Sequence, residues 1–371
     1  MRKTLMILLA VAAVDLGAPA LSTAEGLALS ALEGQRPNIQ NGRVETRAAT
    51  AIEREIAAVG TSASPVWVAW SVPMVAGDRN VCSTWSDGNT FARGETLERT
   101  DGSRPAQFVP PSGPVRLEGG TSLVVLVRVI DGRLERLRSI GDDCPVDAGG
   151  ATIHWLTGVT PAESVKYLDG LTRADALNVS TTRRLAESAV SAMALHQDSS
   201  ALPALDRLSS AATADGALRR QAASGLAAHR GAEGFDRVVA LIKTERGRDL
   251  RRSFVGALAQ SPNEKATNVL LEIARTDADA SVRGEAAMRY IRRAGQPALS
   301  TALAMLDKET DDEVKRRVIA GIGSLPESVA APTLIQLAKT HPSVVVRKDA
   351  VSALGRFSDP QARALLEDLL R

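Results

Sequence analysis

The chain has 371 residues, more than one compact domain usually needs, with 44% apolar residues and only 3% aromatic ones. Its 45 Lys and Arg barely exceed its 43 Asp and Glu, for a net charge of +2. That balance lacks the marked basic excess with which nucleic-acid-binding domains hold phosphate, and the Ala- and Leu-rich apolar fraction suits helices packed through small side chains.

The N-terminus reads as an export signal. Arg2 and Lys3 precede the apolar run LMILLAVAAV, residues 5–14, and the small-x-small triplets APA (18–20) and STA (22–24) are two candidate cleavage points. The run is too short to anchor the chain in a bilayer, and no Cys follows it to carry a lipid. A signal peptide over 1–24, a flexible stretch over 25–40 and a periplasmic or secreted mature protein without a transmembrane anchor are expected.

A small α+β domain is expected over 41–157. ETRAATAIEREIAAVG (45–60) has helical spacing and a terminal Gly. VWVAWSV (66–72) and NVCSTW (80–85) are rich in β-formers, and a Pro-rich loop follows over 104–114. SLVVLVRVIDGRLERLRSI (122–140) places Asp131-Gly132 between two β-prone runs, a strong hairpin signal. Its second arm alternates imperfectly, with Leu134, Arg136 and Arg138 on one parity and Leu137 on the other, which leaves its buried face open. ATIHWL (151–156) closes the set as a last strand. Cys82 and Cys144 are the only two cysteines, and in an exported chain an even pair reads as one disulfide, here tying the second strand to the loop after the hairpin. A redox or metal pair is the alternative, but there is no Cys-x-x-Cys, and two thiolates do not complete a zinc site. A connecting helix over 160–182 opens with Thr160 as N-cap, Pro161 in the first turn and Glu163 three residues after the cap.

The remainder, 183–371, repeats. Leu218-Arg219, Leu250-Arg251, Val282-Arg283, Val314-Lys315 and Val346-Arg347 recur at 32-residue steps, and a more divergent copy starts at Leu185. Three residues before each apolar anchor stand Asp215, Gly247, Asp279, Asp311 and Ser343, acceptable N-caps that put the anchor in the first turn of a helix. Ala222, Phe254, Ala286, Val318 and Ala350 follow four residues on, and Leu226, Leu258, Tyr290, Ile322 and Leu354 follow eight on. This i, i+4, i+8 stripe, a breaker, and a second apolar stripe through Val238/Leu241, Leu270/Ile273, Ala302/Met305, Leu334/Leu337 and Leu366/Leu369 make each unit a helical hairpin. Six such hairpins can bury their faces only by stacking into an α-solenoid, so the fold class is mainly α, with the small α+β domain in front.

At VRKDAVSALG and LRRQAASGLA the units resemble HEAT repeats, and more narrowly the short kind found in phycobilisome-lyase-type proteins. With WVAWSVP and the DDCPVDAGG…HWLTGVTPAES segment in front, the layout resembles exported bacterial HEAT-repeat proteins that carry a small Cys-containing N-terminal domain. The resemblance implies a fold and confers no activity. Some short-repeat HEAT proteins resemble deoxyhypusine hydroxylase, with His-Glu pairs for metal. Here the four histidines precede Trp155, Gln197, Arg230 and Pro342, so no His-Glu pair exists, and His196 and His229 read as helix-end residues that suit the dipole. Asp142, Asp143 and Asp147 partly fit a calcium loop but not an EF-hand. Asp87 to Thr90 is a second acidic loop, and Asn178 opens a glycosylation sequon. No catalytic residue, metal or cofactor is expected.

Two basic columns run through the repeats. Arg219, Arg251, Arg283, Lys315 and Arg347 sit in first turns, where a cation opposes the helix dipole and needs a compensating acid. Glu245, Asp277 and Glu309, five residues before the next anchors, offer an Arg-carboxylate ladder along the stack, with contact to a partner as the alternative. Lys243, Arg275, Lys339 and Arg371 end the second helices, interrupted by Asp307, and are candidate partner contacts. The function expected is an exported, non-catalytic scaffold that binds a protein or peptide along its solenoid surface. The alternative is an enzyme or ligand-binding protein with its site in or beside the N-terminal domain, where His154, Asp142, Asp143 and Asp147 would converge.

Overall fold

The structure is a computed structural model that describes residues 36–60, 64–76, 81–82, 84–86, 91–98, 120–173 and 180–369. The expected signal peptide, the Pro-rich loop 104–114, the loop 87–90, Asn178 and Arg371 lie outside the described residues.

A five-stranded mixed sheet forms the N-terminal part, in the order β2 (Arg43–Ala48), β10 (Thr152–Thr157), β3 (Val66–Pro73), β7 (Ser122–Ile130), β8 (Arg133–Gly141). β10 runs parallel to β2 and β3, and β7 is antiparallel to β3 and β8. Central β3 is buried on both faces, which is why its sequence is nearly all apolar. Val68, Trp70 and Val72 pack toward helices α1 (Ile52–Val59) and α2 (Pro161–Thr172), while Trp67 and Ala69 join the opposite core with Val124, Leu126, Ile153 and Cys144. A small parallel sheet joins β1 (Ile39–Gln40), β9 (Val146–Asp147) and β6 (Glu95–Thr96), and β4 (Thr84–Ser86) pairs with β5 (Phe91–Arg93).

The turn at Asp131-Gly132 has φ of 48° and 71°, the left-handed pair that a two-residue hairpin needs. A register shift follows: Arg128 faces Arg136 while Val129 faces Leu134, so Glu135 is the extra residue of a β-bulge. The bulge explains the imperfect alternation. Leu134 and Leu137, of opposite parity, pack on the same core.

Several sequence expectations need correction. The segment 45–60 is helical only over Ile52–Val59, because Arg43–Ala48 is taken up as an edge strand beside β10; tertiary pairing overrides helical spacing there. Ile39–Gln40, expected within the flexible N-terminal stretch, pairs with β9. The strand expected at 80–85 lies at Thr84–Ser86, so Cys82 precedes it. Thr160 does cap α2 by accepting from the Glu163 amide at 3.2 Å. The Glu163 carboxylate, however, accepts from the Ile52 amide at 3.2 Å, and so caps α1, whose own N-cap Ala51 supplies no side chain.

Six helical hairpins follow: α3 (Ser180–Leu195) with α4 (Ala201–Ser210), α5 (Gly216–His229) with α6 (Gly231–Thr244), α7 (Arg248–Leu258) with α8 (Ala266–Thr276), α9 (Ala280–Ala294) with α10 (Leu299–Lys308), α11 (Asp312–Ile322) with α12 (Glu327–Thr340), and α13 (Val344–Leu354) with α14 (Pro360–Leu369). The first therefore starts at Ser180, within the segment expected to connect. Asp215, Asp279, Asp311 and Ser343 cap their helices by accepting first-turn amides, while Gly247 takes the same place without a side chain. The stripe residues of the first helices are buried, apart from a partly buried Leu250. Small residues let successive first helices approach: a Cβ at Gly225 would stand 2.6 Å from that of Ala194. The last second helix departs from its expected stripe, since Leu369 is exposed and Ala362 is the buried contact.

The sheet and the stack share one core. α3 packs against β8, and the apolar cluster runs without a break from Ile52 to Ala362. The backbone joins them as well: the Val75 amide donates to the Leu195 carbonyl at 2.9 Å and the Gln197 amide to the Pro73 carbonyl at 3.0 Å.

Cys82 and Cys144 form a disulfide with Cα atoms 5.4 Å apart across 62 positions of sequence. Closing a loop of that length stabilises the fold by about 4 kcal/mol on chain-entropy grounds. Replacing both cysteines by Ser should lower the stability of the N-terminal part by about 2–4 kcal/mol in urea unfolding. An unchanged midpoint would show that the crosslink adds nothing there.

Candidate functional site

The first basic column is built into the joints between repeats. Arg219 pairs with Glu245 at 2.5 Å, Arg251 with Asp277 at 2.9 Å, and Arg283 reaches both oxygens of Glu309 at 3.3 Å. Each acid lies 26 residues after its arginine, at the C-cap of the second helix of the same unit. Two of these cations, and Arg347 of the last unit, also donate to carbonyls at the end of the preceding unit. Arg219 donates to the Ser209 carbonyl at 2.9 Å, Arg283 to Asp277 at 3.0 Å, and Arg347 to His341 at 2.7 Å and Pro342 at 2.9 Å. A cation that opposes its own helix dipole thus sits at the negative end of the previous helix.

The acids serve twice. Glu245, Asp277 and Glu309 also accept from the amide two residues on, at 2.7, 2.9 and 2.9 Å. Burial by itself would raise the Glu245 and Glu309 carboxyls, but these amides and the facing arginines outweigh it and hold both below the usual carboxylate value.

Two members of the column differ. The place opposite Lys315 holds His341, whose Nδ1 accepts from the Ser343 amide at 3.1 Å. Lys315 turns instead to Asp312 at 3.4 Å and the Thr310 carbonyl at 3.3 Å. Arg347 makes only its carbonyl contacts among the described residues. Asp307, the acid that interrupts the second column, stands 4.0 Å from His341 Nε2.

In that second column Lys243, Arg275 and Lys339 are exposed at the ends of second helices, and none pairs with an acid among the described residues. Successive second helices touch less closely than first helices. Between α8 and α10 this opens a cleft of about 510 Å³ whose lining includes Arg275, Lys308, Thr301 and Met305.

The N-terminal candidates take separate partners. His154 stands 3.4 Å from Glu45, and Asp147 accepts from the Asn41 amide side chain at 3.1 Å and the Gly149 amide at 3.0 Å. Asp142 and Asp143 lie beside Gly120, where an added Cβ would meet their oxygens at 2.2 and 2.7 Å. No group of three His, Cys, Asp or Glu placed to hold a metal occurs among the described residues. No described helix is long and apolar enough to cross a membrane.

His196 lies at a helix end as expected, directly after Leu195 of α3, but it does not serve the helix dipole as a cation. It is fully buried where β3 meets the first repeat, its Nδ1 accepts from the Asp198 amide at 3.3 Å, and burial lowers its pKa to about 4. It is neutral at pH 7. Other joints escaped the sequence reading. Arg293 donates to the Ala259 and Asn263 carbonyls of the preceding unit, at 3.2 and 3.0 Å, and Arg230 donates to the Met193 carbonyl. These arginines sit outside the 32-residue column, so no periodicity marks them.

Residues 205–290 and 299–371 match the family of HEAT repeats, so the C-terminal part of the chain is a HEAT-repeat solenoid. Several solved structures resemble the chain, two of them as follows. One is the complex of CpcE and CpcF of phycocyanin lyase from Nostoc sp. PCC7120, 20% identical, covering 43% of this chain and 98% of that one, with a TM-score of 0.32. The other is human deoxyhypusine hydroxylase in complex with glycerol, 17% identical, covering 56% and 77%, with a TM-score of 0.24. Similarity at this level carries no functional argument. No curated protein matches the chain.

Two outcomes follow. Arg283→Ala removes a two-pronged, partly buried ion pair and a helix-end cap, and should cost about 1–3 kcal/mol in urea unfolding, while Lys315→Ala should cost under about 1 kcal/mol. Equal losses would contradict the ladder as a stabilising joint. For His196 the unfolded chain binds a proton near pH 6.5 and the folded chain only near 4, so stability is full above pH 6.5 and falls as pH drops toward 4. From pH 7 to 5 this single group should remove about 2 kcal/mol, and His196→Asn should flatten that part of the thermal stability profile.

Proposed function

We propose that this chain is an exported, non-catalytic scaffold that holds a protein or peptide along the second-helix face of its solenoid. The observation that carries this is the row of unpaired cations Lys243, Arg275 and Lys339 in register at the helix ends, of which Arg275 lines the cleft between α8 and α10. Cations without acids gain most from a partner that supplies them, and the apolar floor at Met305 adds a desolvated contact. The basic n-region, short apolar run and small-x-small triplets of the first 24 residues support a place outside the cytoplasm. The HEAT-repeat architecture supports binding by shape over an extended surface.

A second reading, a small-ligand site beside the N-terminal domain, is favoured by a cleft of about 600 Å³ between β8 and α3, with Arg136, Arg138 and Arg184 on its rim and Leu137 and Leu185 below. Full-length protein immobilised in envelope extract should retain a partner reproducibly. Arg275→Glu with Lys308→Glu should release it. Retention indifferent to those reversals would sink the second-helix reading, and a copurifying small molecule released by Arg138→Glu would favour the second.

A further inference from the structure

The first-helix side carries an arginine cluster that the joints do not use. A cleft of about 380 Å³ there is lined by Arg220 of α5, Arg252 of α7, Arg289 of α9 and Arg317 of α11. One carboxylate, Glu285, lies among them. It is 7% exposed, 2.7 Å from Arg289 Nε and 3.6 Å from Arg317 Nη1. Four guanidiniums thus share a single acid, and Arg220 and Arg252 make no ion pair or hydrogen bond with any described residue.

The fourth unit differs from the others at three positions, two of which line this cleft. The position after the anchor cation is Arg220, Arg252, Arg316 and Lys348 in the other units but Gly284 here. A Cβ at Gly284 would meet Arg317 Cγ at 2.9 Å, so the glycine makes room for the Arg317 stem. The next position is Gln221, Ser253, Arg317 and Asp349 elsewhere but Glu285 here. Four residues further on, Gly225, Ala257, Gly321 and Ala353 give way to Arg289. Packing explains the small residues of that column, and an arginine there is not needed to stack the repeats. Glu285 instead orients Arg289 and Arg317 from below and leaves the charge of Arg220 and Arg252 uncompensated.

We propose that this cleft binds an acidic peptide segment, its Asp or Glu carboxylates taken by Arg220, Arg252, Arg289 and Arg317. The cations come from four successive helices, which at the usual interaxial distance span about 27 Å, the length of roughly eight extended residues. A single small oxyanion fills only part of that row. The near-neutral chain, at net +2, does not offer the broad positive field that a nucleic acid requires. The inference shares the reading of the chain as a peptide-binding scaffold but places this contact on the opposite helix layer.

The test is a fluorescence-anisotropy titration of the full chain with a labelled octaglutamate peptide at low and moderate salt. Binding should occur, weaken with salt, and fall at least about tenfold in Arg220→Glu with Arg252→Glu. Neither residue has a partner to lose, so circular dichroism of that variant should match wild type. Lys265→Glu with Arg363→Glu, exposed reversals outside both clefts, should leave octaglutamate binding intact. Loss in Arg275→Glu with Lys308→Glu but not in the Arg220 and Arg252 reversals would overturn the inference while keeping the scaffold reading. No salt-sensitive binding by wild type, or equal displacement of the peptide by a molar equivalent of inorganic phosphate, or tighter binding of single-stranded DNA, would overturn it too.

Discussion

A helical hairpin with an apolar stripe on each flank cannot bury itself, and that constraint organises the whole chain. Each first helix presents its stripe to the neighbours before and after it. The stack therefore needs a cover at its start, and the N-terminal sheet supplies one: α3 lies on β8 and the core passes from strand to helix without interruption. Fully burying one Leu or Val side chain is worth about 1.5–3 kcal/mol, so an uncovered first repeat would leave several such contributions unrealised.

Electrostatics then fixes what packing leaves free. Apolar stripes of Ala, Leu and Val tolerate sliding, because one small side chain resembles the next. The Arg-carboxylate joints do not, since Arg219 and Arg283 each reach an acid at one helix end and a carbonyl at another. Partly buried carboxylates that also hold downstream amides tie the linker to the ladder. The energy per joint is modest, but a fork with two kinds of acceptor sets register more sharply than an apolar contact does.

The repeats were legible because their period is long-lived and each column has a physical duty. N-cap, anchor and stripe residues all fall where the 32-residue spacing puts them, from Asp215 to Leu354. The N-terminal part was less legible for reasons seen in particular residues. Arg43–Ala48 has weak local preference and becomes a strand only because β10 offers its edge. The bulge at Glu135 reverses side-chain parity in mid-strand, which no alternation count can see. Glu163 looks like half of a local capping box, yet it caps a helix 111 residues away in sequence. The arginine cleft was hidden for the opposite reason: its residues belong to three different columns, and they show as a group only once the stacking brings Gly284, Glu285 and Arg289 beside Arg252 and Arg317.

The backbone bridge between Pro73–Val75 and Leu195–Gln197 has a mechanical consequence. β3 is the middle strand of its sheet, held by β10 on one side and by β7 on the other. Tension applied along the solenoid enters the sheet at the end of that strand. A pull lying along that strand would load two hydrogen-bonded ladders in shear, so many bonds would give way together rather than one after another. The chain thus joins a compliant spring of stacked hairpins to a stiff anchorage.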